Sequence, residues 1–114
     1  MEYVYTHTVR YSDLDKSHHM ANHRYVTLME NVFSPDFFNN NELKELEIHY
    51  ISQGFYGDEI QLYKKDSETG YLITGARSDG TIVFTGCMIF LIKNKTGTLF
   101  RVPVLSISFK YSLS

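Results

Sequence analysis

The sequence predicts an α+β domain in which one long helix is wrapped by a curved antiparallel sheet. Three observations predict it. Aromatic residues make up 15% of the 114 residues, nine Tyr and eight Phe with no Trp, and such residues carry large buried area and favour strands. Helical spacing of apolar residues occurs in one stretch only, residues 22–34. From residue 43 onward the period is two, punctuated by turn signals. One helix cannot cover so much sheet unless the sheet curves around it.

Each element follows in order. Residues 4–11 alternate and are rich in Tyr, Val and Thr, which predicts a strand. Residues 13–21 are polar and lack a period, which predicts a loop. Tyr25, Leu28, Met29, Val32 and Phe33 then fall at i, i+3, i+4, i+7 and i+8. Asn22 is the expected N-cap and Pro35 the expected end, giving a rod of roughly 18 Å. Asn39-Asn40-Asn41 reads as a turn. Residues 43–52 put Leu46, Ile48 and Tyr50 on one face of a strand and Glu45, Glu47 and His49 on the other. Residues 53–57 turn or bulge the chain, and 58–65 form the next strand. Ser67-Glu68-Thr69-Gly70 signals a hairpin into a strand over 71–77. Asp79-Gly80 is a tight-turn signal. Residues 81–93 make a long strand, nearly all apolar from Cys87 to Ile92 and so expected to be central and covered on both faces. Residues 94–97 turn again, and 99–104 and 106–111 are edge strands or a trailing tail. No repeat, linker or low-complexity segment appears, so residues 1–114 read as one domain.

Composition excludes several functions. Apolar residues are 43% and charged residues 21%, ordinary for a soluble globular protein. The formal net charge of −2 gives no electrostatic case for nucleic acid. Cys87 is the sole cysteine, so no internal disulfide forms. Its apolar neighbours mark it as a small buried hydrophobe, not a reactive thiol. The N-terminus lacks a basic-then-apolar signal, and no apolar run is long enough to span a bilayer. The cytoplasm is the expected compartment, with no membrane partner.

The chemistry concentrates in residues 11–25. Asp13, Asp15, His18, His19 and His23 crowd a loop that runs into a helix N-terminus, where partial positive charge accumulates. Acid, base and donor groups so placed suit attack on a carbonyl carbon. Asp15 is the candidate base or nucleophile, with His19 orienting it or sharing the proton. Backbone amides of Met20, Ala21 and Asn22 are candidate oxyanion donors, and Tyr25 faces the core beside them. Asp13 reads as structural, capping the loop or pairing Arg10. Two sharper alternatives have less support. His19 and His23 lie four apart with carboxylates nearby, as zinc ligands can, but His19 precedes the expected helix. Ser17 lacks the G-x-S-x-G elbow of a triad nucleophile. No metal and no dissociable cofactor is implied.

Arg10-Tyr11-Ser12-Asp13-Leu14-Asp15, followed by His19, Asn22 and Tyr25, resembles the R-Y-x-D-x-D…H-x-x-N-x-x-Y signature of the acyl-acyl carrier protein thioesterases. Leu46-Glu47-Ile48-His49-Tyr50 through Gly57-Asp58-Glu59-Ile60, and Arg101-Val102-Pro103 after Lys95-Thr96-Gly97, are similar to later segments of that family in the same order. The resemblance implies a single hotdog domain, matching the C-terminal half of two-hotdog members. It also implies hydrolysis of a fatty acyl thioester carried on acyl carrier protein or coenzyme A. The edge strand and helix flank that such an arrangement leaves exposed predict self-association as a homodimer or higher homo-oligomer. Family members carry D-x-N-x-H in the loop and a Glu on the following strand. The resemblance places Asp15 and His19 at the Asp and His positions, Ser17 at the Asn position and Gln53 at the Glu position, which implies weakened activity. A non-catalytic acyl-binding module and an enoyl or hydroxyacyl thioester hydratase are the alternative readings. Arg10, Lys16, Arg24, Lys64 and Lys65 are candidates for a basic patch facing an acidic carrier.

Overall fold

The computed structural model describes residues 1–93 and the backbone of residues 106–111. The strands are β1 (Glu2–Thr8), β2 (Asn41–Tyr50), β3 (Glu59–Asp66), β4 (Tyr71–Arg77), β5 (Ile82–Ile92) and β6 (Ser106–Tyr111), and the helices are α1 (Asn22–Glu30) and α2 (Pro35–Asn40). They form one sheet in the order β1-β3-β4-β5-β2-β6. Neighbours run antiparallel, except that β6 joins β2 in parallel. The expected turn at 94–97 and strand at 99–104 lie outside the described residues.

The helical region departs from expectation in three ways. Ala21, not Asn22, is the N-cap of α1, and its methyl offers no side-chain cap; Asn22 is the first helical residue. The helix ends at Glu30, a turn before Pro35. Pro35 instead opens α2, where the Ser34 hydroxyl accepts from the Phe37 amide at 3.2 Å. A proline that cannot continue a helix sits readily in its first turn, where its missing N–H would have no partner. The three asparagines do not form a free-standing turn either. Asn40 and Asn41 donate to the Asp36 and Phe37 carbonyls at 3.0 and 2.9 Å, and Asn41 starts β2.

Tyr25, Leu28 and Met29 of α1, with Val32 beyond it, pack on Leu46, Ile48, Ile60, Leu62, Ile73, Phe84 and Met88 from the concave face of the sheet. Helical spacing on one side meets period-two spacing on the other. Each such buried side chain contributes about 2 kcal/mol. Two glycines let the layers approach. A Cβ on Gly86 would lie 2.2 Å from Met29 Cε, and one on Gly75 would lie 2.3 Å from the Phe84 ring. The long strand β5 is central, and among the described residues one face is covered more deeply than the other. Gly86 and Met88 are buried, Thr85, Cys87 and Ile89 are partly buried, and Ile92 is open to solvent.

Candidate active site

The polar loop closes on itself before α1 begins. Asp15 Oδ1 accepts from the Ser17 amide at 2.8 Å and the His19 amide at 3.4 Å. The Asp15 amide donates to the His19 carbonyl, and the His18 amide donates to the Asp15 carbonyl. His18 completes the turn with φ +66, a region that side chains other than glycine seldom enter. A short polar side chain bonding to amides two residues on is the usual chemistry of such turns.

Asp13 holds the base of this loop. It is buried, and its Oδ2 accepts from the Arg10 amide at 2.9 Å and from His7 Nε2 at 2.8 Å. Arg24 Nε lies 3.6 Å from its Oδ1. Burial pushes the Asp13 carboxyl up, but the Arg10 amide, His7 and Arg24 together outweigh it and hold it below its ordinary 3.8. One carboxylate therefore joins β1, the loop and the first turn of α1. The sequence reading of Asp13 as a structural residue agrees with this geometry. The sequence gives no sign of His7 in this role, and Arg24 pairs here with Asp13, not with a carrier-facing patch.

The segment after β2 forms the opposite wall. Arg77 Nε donates to Asp58 Oδ2 at 3.1 Å, Nη1 to Ser52 Oγ at 3.3 Å, and Nη2 to the Gln53 carbonyl. Asp58 Oδ2 also accepts from the Phe55 amide. The Gly54 carbonyl accepts from the Met20 amide at 2.9 Å, and the Gly54 amide donates to Tyr25 Oη at 3.1 Å. Burial pushes the Tyr25 phenol up, partly offset by that Gly54 hydrogen bond. The His19 ring meets Phe55 edge-on at 5.4 Å.

Between the two walls lies a cleft of ≈ 340 Å³ lined by Asp15, His19, Met20, Asn22, Tyr25, Tyr50, Ile51, Ser52 and Gln53. Three of the four expected catalytic residues, Asp15, His19 and Gln53, thus meet at one cleft beside the amino end of α1. Ser17 does not line it; its amide serves the turn instead. Of the expected substrate-binding residues, Met20, Asn22 and Tyr25 line the cleft and Ala21 does not. The amides of Met20 and Ala21 are unsuited as oxyanion donors, because they donate to the Gly54 and Asp13 carbonyls. The first turn of α1 receives no side-chain cap from Ala21. A second hollow of ≈ 490 Å³ opens on the other side of the loop, lined by Tyr11, Ser12, Leu14, Asp15, Lys16 and His18.

Arg77 and Asp58 escaped sequence reasoning because their side chains pair across 19 residues; His7 lies six residues from Asp13 but on β1, outside the polar loop. Two of the basic-patch candidates are committed elsewhere. Arg24 pairs with Asp13 and donates to the Ser12 carbonyl. The Lys64 ammonium sits over the Phe33 and Tyr71 rings. Among the described residues, no helix is long and apolar enough to cross a membrane. No three His, Cys, Asp or Glu side chains are grouped among them as a metal site.

Residues 2–85 match the model of the acyl-ACP thioesterase C-terminal domain family. No curated protein matches the sequence. Among solved structures the chain is similar to an acyl-ACP thioesterase from Bacteroides thetaiotaomicron, with a TM-score of 0.70 at 21% identity, over 79% of this chain and 37% of that one. The chain therefore spans little more than a third of that protein. A Staphylococcus aureus hypothetical protein solved in complex with CoA gives a TM-score of 0.65 at 22% identity, over 79% of this chain and 75% of that one. The probable thioesterase YbaW of Escherichia coli gives 0.64 at 17%, over 84% and 86%. At these identities the structural likeness establishes the hotdog fold.

Proposed function

Because this chain belongs to the acyl-ACP thioesterase C-terminal domain family, we propose that it hydrolyses acyl thioesters at the cleft shared by Asp15, His19 and Gln53. The observation that carries this reading is their convergence beside the amino end of α1, over a floor of Met20, Tyr25, Tyr50 and Ile51. Water attacks the thioester carbonyl carbon, and the Asp15 carboxylate takes its proton. The negative charge on the carbonyl oxygen faces the first turn of α1. The tetrahedral carbon then expels the sulfur, and His19 stands beside Asp15 to return a proton to the departing thiolate. A positioned base is worth roughly 10²–10⁴-fold, and a well-aimed oxyanion donor about 3 kcal/mol. Gln53 orients the water through its amide but cannot accept a proton, so turnover is slow.

The carrier is acyl carrier protein, as the family suggests, and coenzyme A presents the same pantetheine arm. Arg10 and Lys16 flank the loop from outside, and the hollow lined by Tyr11, Lys16 and His18 gives an arm a route to Asp15. The chain works as one domain in the cytoplasm and self-associates, since β1 and β6 end the sheet as strand edges. No dissociable cofactor enters the reaction.

Gln53 in place of a carboxylate favours one other reading, an acyl-binding module without chemistry. Free-thiol release from butanoyl to hexadecanoyl thioesters separates the readings. Steady thiol release supports hydrolysis. Binding without release supports the module, and a change in enoyl absorbance without thiol indicates a hydratase.

A further inference from the structure

We propose that the Tyr25 phenol is a catalytic group of this site, donating its hydroxyl hydrogen to the thioester carbonyl oxygen as negative charge builds there. The inference rests on the thioesterase reading above and adds a named oxyanion donor to it. Tyr25 lines the cleft with Asp15, His19 and Gln53, and it is only 3% exposed. Its oxygen is fixed beside the Gln53 wall, where it accepts from the Gly54 amide at 3.1 Å. A Cβ built on Gly54 would lie 3.3 Å from that oxygen and 3.2 Å from Met20 Cβ, so a glycine lets helix and wall meet closely there. The Tyr25 ring is held edge-on by Tyr50 at 4.9 Å and by Phe84 at 5.3 Å. The hydroxyl is therefore placed before substrate arrives, as an oxyanion donor must be.

A phenol can both accept and donate a hydrogen bond. That of Tyr25 accepts from Gly54, but its own hydrogen has no acceptor among the described residues. Tyr5 and Tyr63, by contrast, donate to the Leu28 carbonyl and to Gln61 Oε1. Burying a hydroxyl with its hydrogen unbonded is costly, so the position calls for an acceptor from outside the chain. The amides of Met20 and Ala21 are already committed to the Gly54 and Asp13 carbonyls, which leaves the oxyanion role to this hydroxyl. Accepting from Gly54 polarises the O–H bond and strengthens it as a donor. Burial above all pushes the phenol up, and the Asp58 and Asp15 carboxylates add to it, against the Gly54 amide and Arg77. Tyr25 thus keeps its proton and leaves the base role to Asp15. As the water oxygen bonds to the carbonyl carbon, the C=O electron pair moves onto the carbonyl oxygen, where the Tyr25 hydroxyl holds it. The pair returns as the carbon–sulfur bond breaks.

The test compares wild type with Tyr25→Phe, its fold checked by circular dichroism. Thiol release from a hexanoyl thioester is expected to fall in kcat by about 10²–10³-fold, the effect of removing one oxyanion donor, with KM little changed. The second readout is the infrared carbonyl band of a bound, isotope-labelled 2-oxoalkyl pantetheine thioether of hexanoyl size, which keeps the carbonyl but lacks the labile acyl–sulfur bond. A donated hydrogen bond weakens the carbonyl, so the band is expected at lower frequency in wild type than in Tyr25→Phe. A hydroxyl that served only to hold the Gly54 amide would leave the band where it is. An unmoved band, or thiol release near the wild-type rate, in folded Tyr25→Phe overturns the assignment and leaves the thioesterase reading standing. Wild-type protein that releases no thiol overturns both. Should Tyr25→Phe not fold, a ring-fluorinated tyrosine at position 25, a stronger acid of nearly the same shape, takes its place. The band is then expected to move to still lower frequency, and an unmoved band overturns the assignment.

Discussion

Replacing Asp13 by Ala tests whether the loop is held from below. The substitution removes the acceptor for the Arg10 amide and His7 and the ion-pair partner of Arg24. Breaking a fully buried charge pair costs about 3–5 kcal/mol. Here the His7 and Arg24 side chains are 25% and 36% exposed and regain water, so about 2–3 kcal/mol is expected. That corresponds to a fall in Tm of about 10 °C for a domain of this size. The pH dependence carries a sign. The folded-state carboxyl of Asp13 lies below its ordinary 3.8, so its stabilisation is fully present above that value and is lost as pH falls through the lower, folded-state value. Urea unfolding of wild type and Asp13→Ala between pH 3 and 7 is the assay. The gap between the two proteins should be constant above about pH 5 and close as the acid limit is approached. A gap under about 0.5 kcal/mol, the ordinary range for a surface change, would refute the argument. So would a gap that stays undiminished at the acid end.

Three further outcomes are expected. Arg77→Lys keeps the charge but cannot reach Asp58, Ser52 and the Gln53 carbonyl together; thiol release should fall several-fold while stability drops by only about 1 kcal/mol, measured by kinetics and urea melts on the same sample. Gly75→Ala drives a methyl into the Phe84 ring and should cost about 2–3 kcal/mol by overpacking; a neutral result in a thermal melt would contradict the keyed packing. Burial first, and then the charges of Glu47 and Glu45, push the Cys87 thiol up, so its reaction with iodoacetamide at pH 7 should be slower than that of a free thiol.

Much of the sheet was legible because period two and turn residues are local signals. The strand over 71–77 and the Asp79-Gly80 turn stand where the sequence puts them. The loop chemistry was legible for a different reason: Asp15, His19 and Tyr25 lie within one turn and one helix, so neighbours in sequence are neighbours in space. Two kinds of feature were not legible. Ser34-Pro35 can end one helix or begin another, and only the Ser34 cap shows which. Contacts such as Arg77 to the Gln53 carbonyl join strand ends that meet only when β4 and β5 are in register. The amides of Met20 and Ala21 were misjudged because their acceptors, Gly54 and Asp13, are set by the folded loop and not by adjacency.

The central claim is that the Asp15 carboxylate moves the proton. Asp15→Asn isolates that role, since an amide oxygen can still accept from the Ser17 and His19 amides and the loop keeps its shape. Thiol release from a saturating hexanoyl thioester should fall about 100-fold or more with unchanged binding of the matching 2-oxoalkyl thioether. Thiol release at the wild-type rate from a folded Asp15→Asn protein would contradict the account.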